Sequence, residues 1–242
     1  MKALIVFIIL LFSFVPQSLN KPRNISGYYD DGKYIVVKVN PTNMSVITCY
    51  KNSDGEVIGD FERLDQHISS TGHDLIFACN GGMFMTDLRP LGLYVENGRT
   101  LMPLNTRSAS TNFYIKPNGV FYILYNGEVG LCKTEVYQGC VNVKYATQSG
   151  PMLVIDGVIN PKFIETSRSY RVRNGVGMNR DGEVVFILSQ YGVTFYDFAY
   201  TFQQVGCDNA LFLDGDISAF YCPEVGLDWA YCYASVFIAV VK

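Results

Sequence analysis

The sequence predicts an α+β domain built mainly of extended mixed or antiparallel β-sheets, with few short helices. Short runs of β-branched and aromatic residues recur along most of the chain, bounded by glycine, asparagine or aspartate. Asn-Gly and Asp-Gly dipeptides lie between several of these runs, as tight hairpin turns require. Helical spacing of apolar residues is confined to two short segments. These three observations predict a fold dominated by strands.

The composition is that of a folded chain and argues against several functional classes. The 242 residues are 49% hydrophobic and 14% aromatic, which is too apolar for a disordered protein and enough to bury a sizeable core. The formal net charge of -3 disfavours a nucleic-acid-binding protein, which needs a basic surface to neutralise phosphates. Only two histidines occur, His67 and His73, so a histidine-rich zinc centre and most Ser-His-Asp mechanisms are disfavoured.

The strand candidates follow one another in chain order. The first two, residues 34–39 and 45–50, flank Asn40-Pro41-Thr42-Asn43 and are expected to pair as a hairpin. The others are expected at residues 74–79, 91–96, 111–116, 120–125, 148–155, 173–178, 184–188, 210–213 and 235–241. Further hairpin turns are expected at Asn97-Gly98, Asn118-Gly119, Asn126-Gly127, Asp156-Gly157 and Asp181-Gly182.

Two segments have the apolar spacing of a helix. Residues 60–70 place three apolar side chains on one face, which is typical of a short surface helix. Residues 196–205 repeat this spacing, with Asp197 near the start and Gly206 as a stop. No linker, low-complexity tract or repeat divides the chain, so a single domain is expected.

The N-terminal segment is predicted to be a targeting signal rather than part of the fold. Lys2 precedes an apolar run over residues 3–15, followed by Pro16. A bilayer span needs about 20 apolar residues, so a short run of this kind is typical of a secretory signal peptide. We therefore expect a signal peptide at residues 1–20, a domain at 21–242, and an exported protein without a transmembrane span after the signal is removed.

Export permits disulfides, and the chain has seven cysteines. Cys132 with Cys140, and Cys222 with Cys232, would each close a short loop and are the pairs to test first. The other cysteines include Cys79 and Cys207, which end apolar runs and are expected to be buried as small hydrophobic residues.

Four segments interrupt the strand pattern where a strand runs into glycine and small polar residues. They are Cys79-Asn80-Gly81-Gly82-Met83-Phe84, Gln148-Ser149-Gly150-Pro151, residues 168–177 and residues 211–218. Glycines at strand ends let the backbone approach a ligand and direct N–H groups at an anion. Arginine suits a phosphate or carboxylate, and an acid after an apolar strand is a candidate catalytic group. Each segment taken alone is equally well explained as a turn, a cap or a surface charge.

Taken in order, these segments resemble the phosphodiester glycosidase domain family, and most closely its compact bacterial branch. The resemblance rests on Asn80-Gly81-Gly82-x-Phe84, Gln148-Ser149-Gly150-Pro151, Arg173-x-Gly175-Val176-Gly177 and Leu213-Asp214-Gly215-x-x-Ser218, and runs from about residue 75 to 240. One departure concerns the last motif. The branch of the lysosomal-targeting uncovering enzyme usually has Asp-Gly-Gly-Gly-Ser, whereas this chain has Asp214-Gly215-Asp216-Ile217-Ser218.

The resemblance implies a hydrolase that cleaves a sugar-1-phosphodiester or a related anionic glycoside, and the predicted signal peptide implies that it is exported. It implies catalytic roles for Asp214, as nucleophile or water-activating base, and for Arg173, as the phosphate clamp. It also implies a substrate-binding set of Asn80, Gly81, Gly82, Ser149, Gly150, Gly215 and Ser218. The second carboxylate stays open among Asp216, Glu165 and Asp87. No metal or cofactor is implied, and the expected partner is a carbohydrate or sugar phosphate, not a nucleic acid.

Three alternatives remain at this stage. Arg173 and Asp214 could form a buried structural ion pair instead of a catalytic pair. The protein could also be a non-catalytic carbohydrate-binding or envelope protein, with tyrosines stacking on sugars and a cation held near Asp214 and Asp216. A lipase-like or protease-like hydrolase is disfavoured, because Ser149 lies in Gln-Ser-Gly rather than Gly-x-Ser-x-Gly.

Overall fold

The computed structural model describes residues 22–138, 140–215, 217–230 and 233–242. The predicted signal peptide at residues 1–20, Asp216 and Cys232 therefore lie outside the described residues. Within the described part of the chain, none of the helices combines the length and the apolar character needed to cross a bilayer.

The described residues form three β-sheets and three α-helices, with strands numbered along the chain. The first sheet has the order β1 (Gly27–Asp30), β2 (Tyr34–Val39), β13 (Val184–Ser189), β12 (Asn174–Asn179), β14 (Cys207–Asp214), β10 (Met152–Ile155) and β11 (Val158–Ile159). The second has β16 (Leu227–Trp229), β15 (Phe220–Cys222), β4 (Leu75–Asn80), β17 (Phe237–Val241) and β3 (Ser45–Cys49). The third has β6 (Arg99–Met102), β5 (Tyr94–Glu96), β9 (Val143–Ser149), β7 (Gly119–Leu124) and β8 (Val129–Lys133).

Every strand pair in this part of the chain runs antiparallel, which selects one of the two expected sheet types. The turns at Asn97-Gly98, Asn126-Gly127, Asp156-Gly157 and Asp181-Gly182 each join two adjacent strands, as predicted. The mainly antiparallel α+β prediction is therefore confirmed, and the predicted turn chemistry joins four of the strand pairs.

The α-helices are α1 (Phe61–Ser70), α2 (Thr134–Tyr137) and α3 (Phe195–Gln204). The Asp60 side chain caps α1 by accepting a hydrogen bond from the N–H of Arg63 at 2.8 Å. The hydroxyl of Thr194 caps α3 in the same way, accepting from the N–H of Asp197 at 3.0 Å. Both long helices thus lie within one residue of their predicted bounds, because their caps and apolar faces are local signals.

Three sequence-based predictions of local structure are wrong. Strands β2 and β3 do not pair as a hairpin, because β2 pairs with β1 and β13 while β3 pairs with β17. The predicted strand 111–116 instead contains a 3-10 helix, Asn112–Tyr114, so Asn118-Gly119 is not a hairpin turn. The predicted strand 148–155 is divided at Gly150 and Pro151 into the end of β9 and the start of β10, which belong to different sheets.

The main core lies among the three sheets. Phe77 of the second sheet packs on Phe186 of the first at a ring-centroid distance of 4.7 Å, and Phe121 of the third sheet belongs to the same cluster. Helix α3 covers the opposite face of the first sheet with Phe198 and Phe202. Burial of these large apolar side chains supplies the main drive for bringing the sheets together.

The six described cysteines are free thiols. Cys79 and Cys207 are buried in apolar clusters, as predicted. Cys132 lies on β8, where burial and the nearby Cys140 thiol raise the pKa of its thiol to about 12, so the first expected pair is close together in the fold as free thiols. The second expected pair includes Cys232 and lies partly outside the described residues.

Candidate active site

A cavity of about 550 Å³ opens at the edge of the first sheet where β12 begins and β14 ends. These strands are antiparallel neighbours with Asn174 opposite Asp214, so the start of one and the end of the other share an edge. The apolar lining consists of Met83, Phe84, Leu91, Phe195, Phe212 and Ile217. The polar side chains are those of Asn112, Ser169, Arg171, Arg173 and Asp214, and Gly215 completes the lining.

Asp214 is the last residue of β14 and is half-buried at the cavity. Its backbone N–H donates to Oδ1 of Asn174 at 2.8 Å. Its own Oδ1 accepts from the N–H of Gly215 at 2.6 Å, which fixes the side-chain rotamer. A carboxylate held in this way can act on a bound substrate without first having to be ordered.

Arg173 lies directly before β12 and is only 3% exposed, although it lines the cavity. Its Nε donates to the carbonyl of Val193 at 3.0 Å and its Nη2 to the carbonyl of Ser169 at 3.2 Å. The guanidinium carbon lies 3.7 Å from the ring centroid of Phe195 and 5.4 Å from that of Phe212. These contacts hold a planar cationic group in one orientation, as recognition of a phosphate or carboxylate requires.

A pair of buried asparagines ties three strand ends together behind Asp214. Nδ2 of Asn174 donates to Oδ1 of Asn80 at 2.6 Å, and that oxygen also accepts from the N–H of Ala219 at 2.9 Å. Because Asn174 Oδ1 accepts from the Asp214 N–H, the pair joins the end of β4 to the ends of β12 and β14. Asn80 was predicted to contact substrate, whereas Asn174 was missed. The only signal for Asn174 was its place between Arg173 and Gly175 in the third motif.

The Nδ2 of Asn80 has no hydrogen-bond partner among the described residues, and the side chain is fully buried. Its oxygen accepts two donors, so exchanging the two amide atoms would break both bonds. This orphaned donor is the observation that best fits the predicted role of Asn80.

Several predicted substrate-binding residues support the cavity wall and do not line it. The buried hydroxyl of Ser149 donates to the carbonyl of Leu213 at 2.9 Å, just before Asp214. The hydroxyl of Ser218 donates to the carbonyl of Gly215 at 2.7 Å and closes the loop after β14. Both contacts are directed at the backbone around Asp214, so these serines position the loop that carries the carboxylate.

The motif glycines also differ in whether they line the cavity. The N–H of Gly81 donates to the carbonyl of Val236 at 2.7 Å, so it is not available to an anion in this structure. A Cβ at Gly150 would lie 2.5 Å from the Cβ of Asn118, which explains glycine there by packing. Gly82 is buried with φ 137°, a backbone conformation that favours glycine. Of the glycines predicted to bind substrate, Gly215 is the one that lines the cavity.

Two candidates for the second carboxylate lie outside the cavity lining. Asp87 is exposed and paired with Arg89 at 2.7 Å, and this hydrogen-bonded guanidinium holds the pKa of the Asp87 carboxyl below its usual range. Glu165 is exposed. Asp216 lies outside the described residues. The alternative cation site, which would combine Asp216 with Asp214, therefore lies partly outside them as well. No cluster of three or more potential metal ligands occurs among the residues that are described.

Other cavity residues carry weak sequence signals. Asn112 and Phe195 lie outside all four motifs, and only their place in the fold brings them to the cavity. Ser169 and Arg171 are in the third segment but have no role in the family motif. Ile217 lines the cavity, so one of the two residues that depart from the Asp-Gly-Gly-Gly-Ser pattern lies in the candidate site.

Comparisons with known proteins agree with the resemblance seen in the motifs. The model of the phosphodiester glycosidase family matches residues 73–225, a range that includes all four motifs. The uncharacterized protein YigE of Escherichia coli (strain K12) is 39% identical over 192 residues, which is 79% of this chain and 75% of that protein.

Two solved structures are similar in fold. The catalytic domain of zebrafish N-acetylglucosamine-1-phosphodiester alpha-N-acetylglucosaminidase, auto-inhibited by its pro-peptide, has a TM-score of 0.61 at 16% identity, covering 89% of this chain and 81% of that chain. A hypothetical protein from Synechocystis has a TM-score of 0.57 at 14% identity, covering 90% of this chain and 61% of that chain. At these identities the similarity shows a shared fold.

Proposed function

Because the chain belongs to the phosphodiester glycosidase family, we propose that it hydrolyses a sugar-1-phosphodiester or a related anionic glycoside in the cavity at Asp214 and Arg173. One observation carries this proposal. A fixed carboxylate and a fixed guanidinium line the same cavity. The proposed reaction uses a carboxylate at the anomeric carbon and a cation at the phosphate.

The chemistry follows from the charges that the reaction develops. The departing phosphate is a good leaving group and needs little protonation, whereas positive charge builds up at the anomeric carbon. In this proposal Asp214 stabilises that charge, as a nucleophile or as the base that activates water. Arg173 in turn binds the phosphate and stabilises it as it departs. The aromatic rings of Phe195 and Phe212 restrict the movement of this guanidinium.

The test is hydrolysis by the purified protein of a panel of sugar-1-phosphodiesters and ordinary aryl glycosides. N-acetylglucosamine-1-phosphodiesters come first, since the zebrafish relative is named for them. We expect sugar release from the phosphodiesters alone, and at least about 100-fold slower release by Asp214→Asn. Asp208→Asn is the matched control, because Asp208 lies on the same strand, away from the cavity, and makes an exposed ion pair with Arg180.

The alternative, a carbohydrate-binding protein of the same fold, gives a different outcome in the same panel. Glycan binding without release of sugar from any substrate would favour that alternative. Loss of release in Asp214→Asn together with a large fall in melting temperature would instead favour a structural ion pair with Arg173. An intact fold with lost turnover supports catalysis.

The proposed site of action is outside the cytoplasm. This rests on the basic residue, apolar run and proline of residues 2–16. Fractionation of cells that express the full chain, with N-terminal sequencing of the product, tests it. A product that retains residues 1–20 would contradict cleavage of a signal peptide.

A further inference from the structure

A second arginine lines the cavity two residues before the proposed phosphate clamp. Arg171 is held in an extended conformation, since its N–H donates to the carbonyl of Val193 at 3.2 Å and its carbonyl accepts from the N–H of Val193 at 2.8 Å. Alternate side chains of an extended segment share one side. Ser169, Arg171 and Arg173 accordingly all line the cavity.

Arg171 and Arg173 lie at different depths in the cavity. Arg173 is buried and its guanidinium is fixed by backbone carbonyls and by the ring of Phe195. Arg171 is exposed, and its Nη1 donates to the carbonyl of Tyr170 at 3.0 Å. Arg173 therefore belongs to the inner part of the cavity, and Arg171 to its solvent-facing rim.

Arg171 differs in its ion pairing from two other exposed arginines, Arg89 and Arg180. Arg89 and Arg180 each have a carboxylate partner, at 2.7 and 3.0 Å. In the part of the chain that the structure describes, no carboxylate lies within ion-pair distance of Arg171. The described lining thus carries two guanidinium groups, on Arg171 and Arg173, and one carboxylate, on Asp214. Two guanidinium groups at one cavity can bind a ligand with more than one negative charge.

We propose that Arg171 binds a second anionic group of the substrate, on the alcohol esterified to the phosphate. The inference rests on the proposed function and narrows its substrate class to glycosyl phosphodiesters with an anionic alcohol. When the phosphate is bound at Arg173, the esterified alcohol extends from the phosphate towards solvent. Arg171 is the cation at the solvent-facing rim, where the alcohol then lies. Side chains two residues apart on a strand start about 7 Å apart, a separation that suits two different anionic groups.

The experiment compares two N-acetylglucosamine-1-phosphodiesters that differ in one group, one esterified to glycerol and one to glycerate. The wild-type protein should cleave the glycerate ester with about fivefold higher kcat/KM, near the upper end for a solvent-exposed ion pair. Arg171→Gln should bring the ratio close to one. Raising the salt from about 50 mM to about 500 mM should reduce the wild-type ratio, because an exposed charge is screened.

Arg99→Gln is the matched control. Arg99 is an exposed arginine on β6, outside the cavity lining, so this variant should keep the wild-type ratio. An equal ratio in the wild-type protein and in Arg171→Gln overturns the inference, while hydrolysis of both esters would leave the proposed function intact.

When neither ester is cleaved, binding of the phosphorylated alcohols tests the second anion site independently of the proposed hydrolysis. Isothermal titration with glycerol 3-phosphate and 3-phosphoglycerate needs no catalysis. About fivefold tighter binding of 3-phosphoglycerate, lost in Arg171→Gln, supports the second anion site even when the proposed reaction fails. Equal affinities, or no binding of either compound, overturn it.

Discussion

Replacement of Asn174 by alanine tests how the fold positions the proposed catalytic carboxylate. The Asn174 side chain is fully buried and lies between two strand ends. It donates to Oδ1 of Asn80 at 2.6 Å and accepts from the N–H of Asp214 at 2.8 Å. In Asn174→Ala these two hydrogen bonds and a third, from Nδ2 to the carbonyl of Asn80 at 3.2 Å, are lost, and the Asp214 N–H loses its acceptor.

The expected loss follows from these contacts. A donor left unsatisfied by truncation of its partner costs about 1–3 kcal/mol. The lost amide bonds to Asn80 and the small cavity left by truncation add to this, so we expect the free energy of unfolding to fall by about 2–4 kcal/mol. For a chain of this size the melting temperature should drop by about 4–16 °C. Turnover should fall further, by at least about tenfold, because Asp214 loses a contact that places its backbone.

Urea denaturation and kcat/KM on the best phosphodiester measure the two effects. Asn179→Ala is the matched control, since Asn179 is at the other end of β12 and its Oδ1 accepts from the N–H groups of Asp181 and Glu183. We expect a comparable loss of stability in this control without loss of turnover. Unchanged stability in Asn174→Ala, or the same loss of turnover in both variants, would refute the positioning role.

Three further predictions concern single side chains. Arg173→Lys loses the stacking on Phe195 and the fixed planar donors, so kcat/KM should fall about 100-fold or more with a modest fall in melting temperature; a lysine variant with full turnover would exclude the clamp. Gly177→Ala places a Cβ 2.8 Å from Sγ of Cys207, so unfolding in urea should show a loss of about 1–3 kcal/mol, and wild-type stability would contradict the close packing. Burial raises the pKa of the Glu96 carboxyl from its ordinary 4.5, so its ionised form disfavours folding above that pH. Glu96→Gln should therefore unfold at higher urea than the wild-type protein at neutral pH and lose this advantage below about pH 4.5; a difference independent of pH would contradict this cause.

Local signals in the sequence were sufficient for much of the secondary structure. The Asp60 cap and the apolar face behind it predict α1 because both act within a few residues of chain. Asp181-Gly182 predicts the turn between β12 and β13 for the same reason. Residues 111–116 were misassigned because Phe113 is buried by tertiary contacts that override the extended preference of the segment.

The choice of strand partners depended on the rest of the chain. Residues 34–39 and 45–49 both have clear strand patterns and a turn between them, yet they belong to different sheets. β2 pairs with β13 as well as with the adjacent β1, and β3 pairs with β17; β13 and β17 are more than a hundred residues further along the chain. Local propensity predicts that a segment is extended, but it does not predict which distant strand the segment pairs with.

The candidate site likewise combines features that the sequence predicts with features that depend on tertiary contacts. The sequence by itself determined the strongly patterned elements and, through the ordered motifs, the family, and it predicted Arg173 and Asp214 as the catalytic pair. Only the tertiary structure decided which motif residues reach the cavity, that Asn174 joins the strand ends and that Arg171 lies at the rim. The physical reason is that a hydrogen bond such as that of Asn174 to Asn80 joins residues far apart in sequence. Such contacts exist only after the sheets have packed, because apolar burial brings those strand ends together.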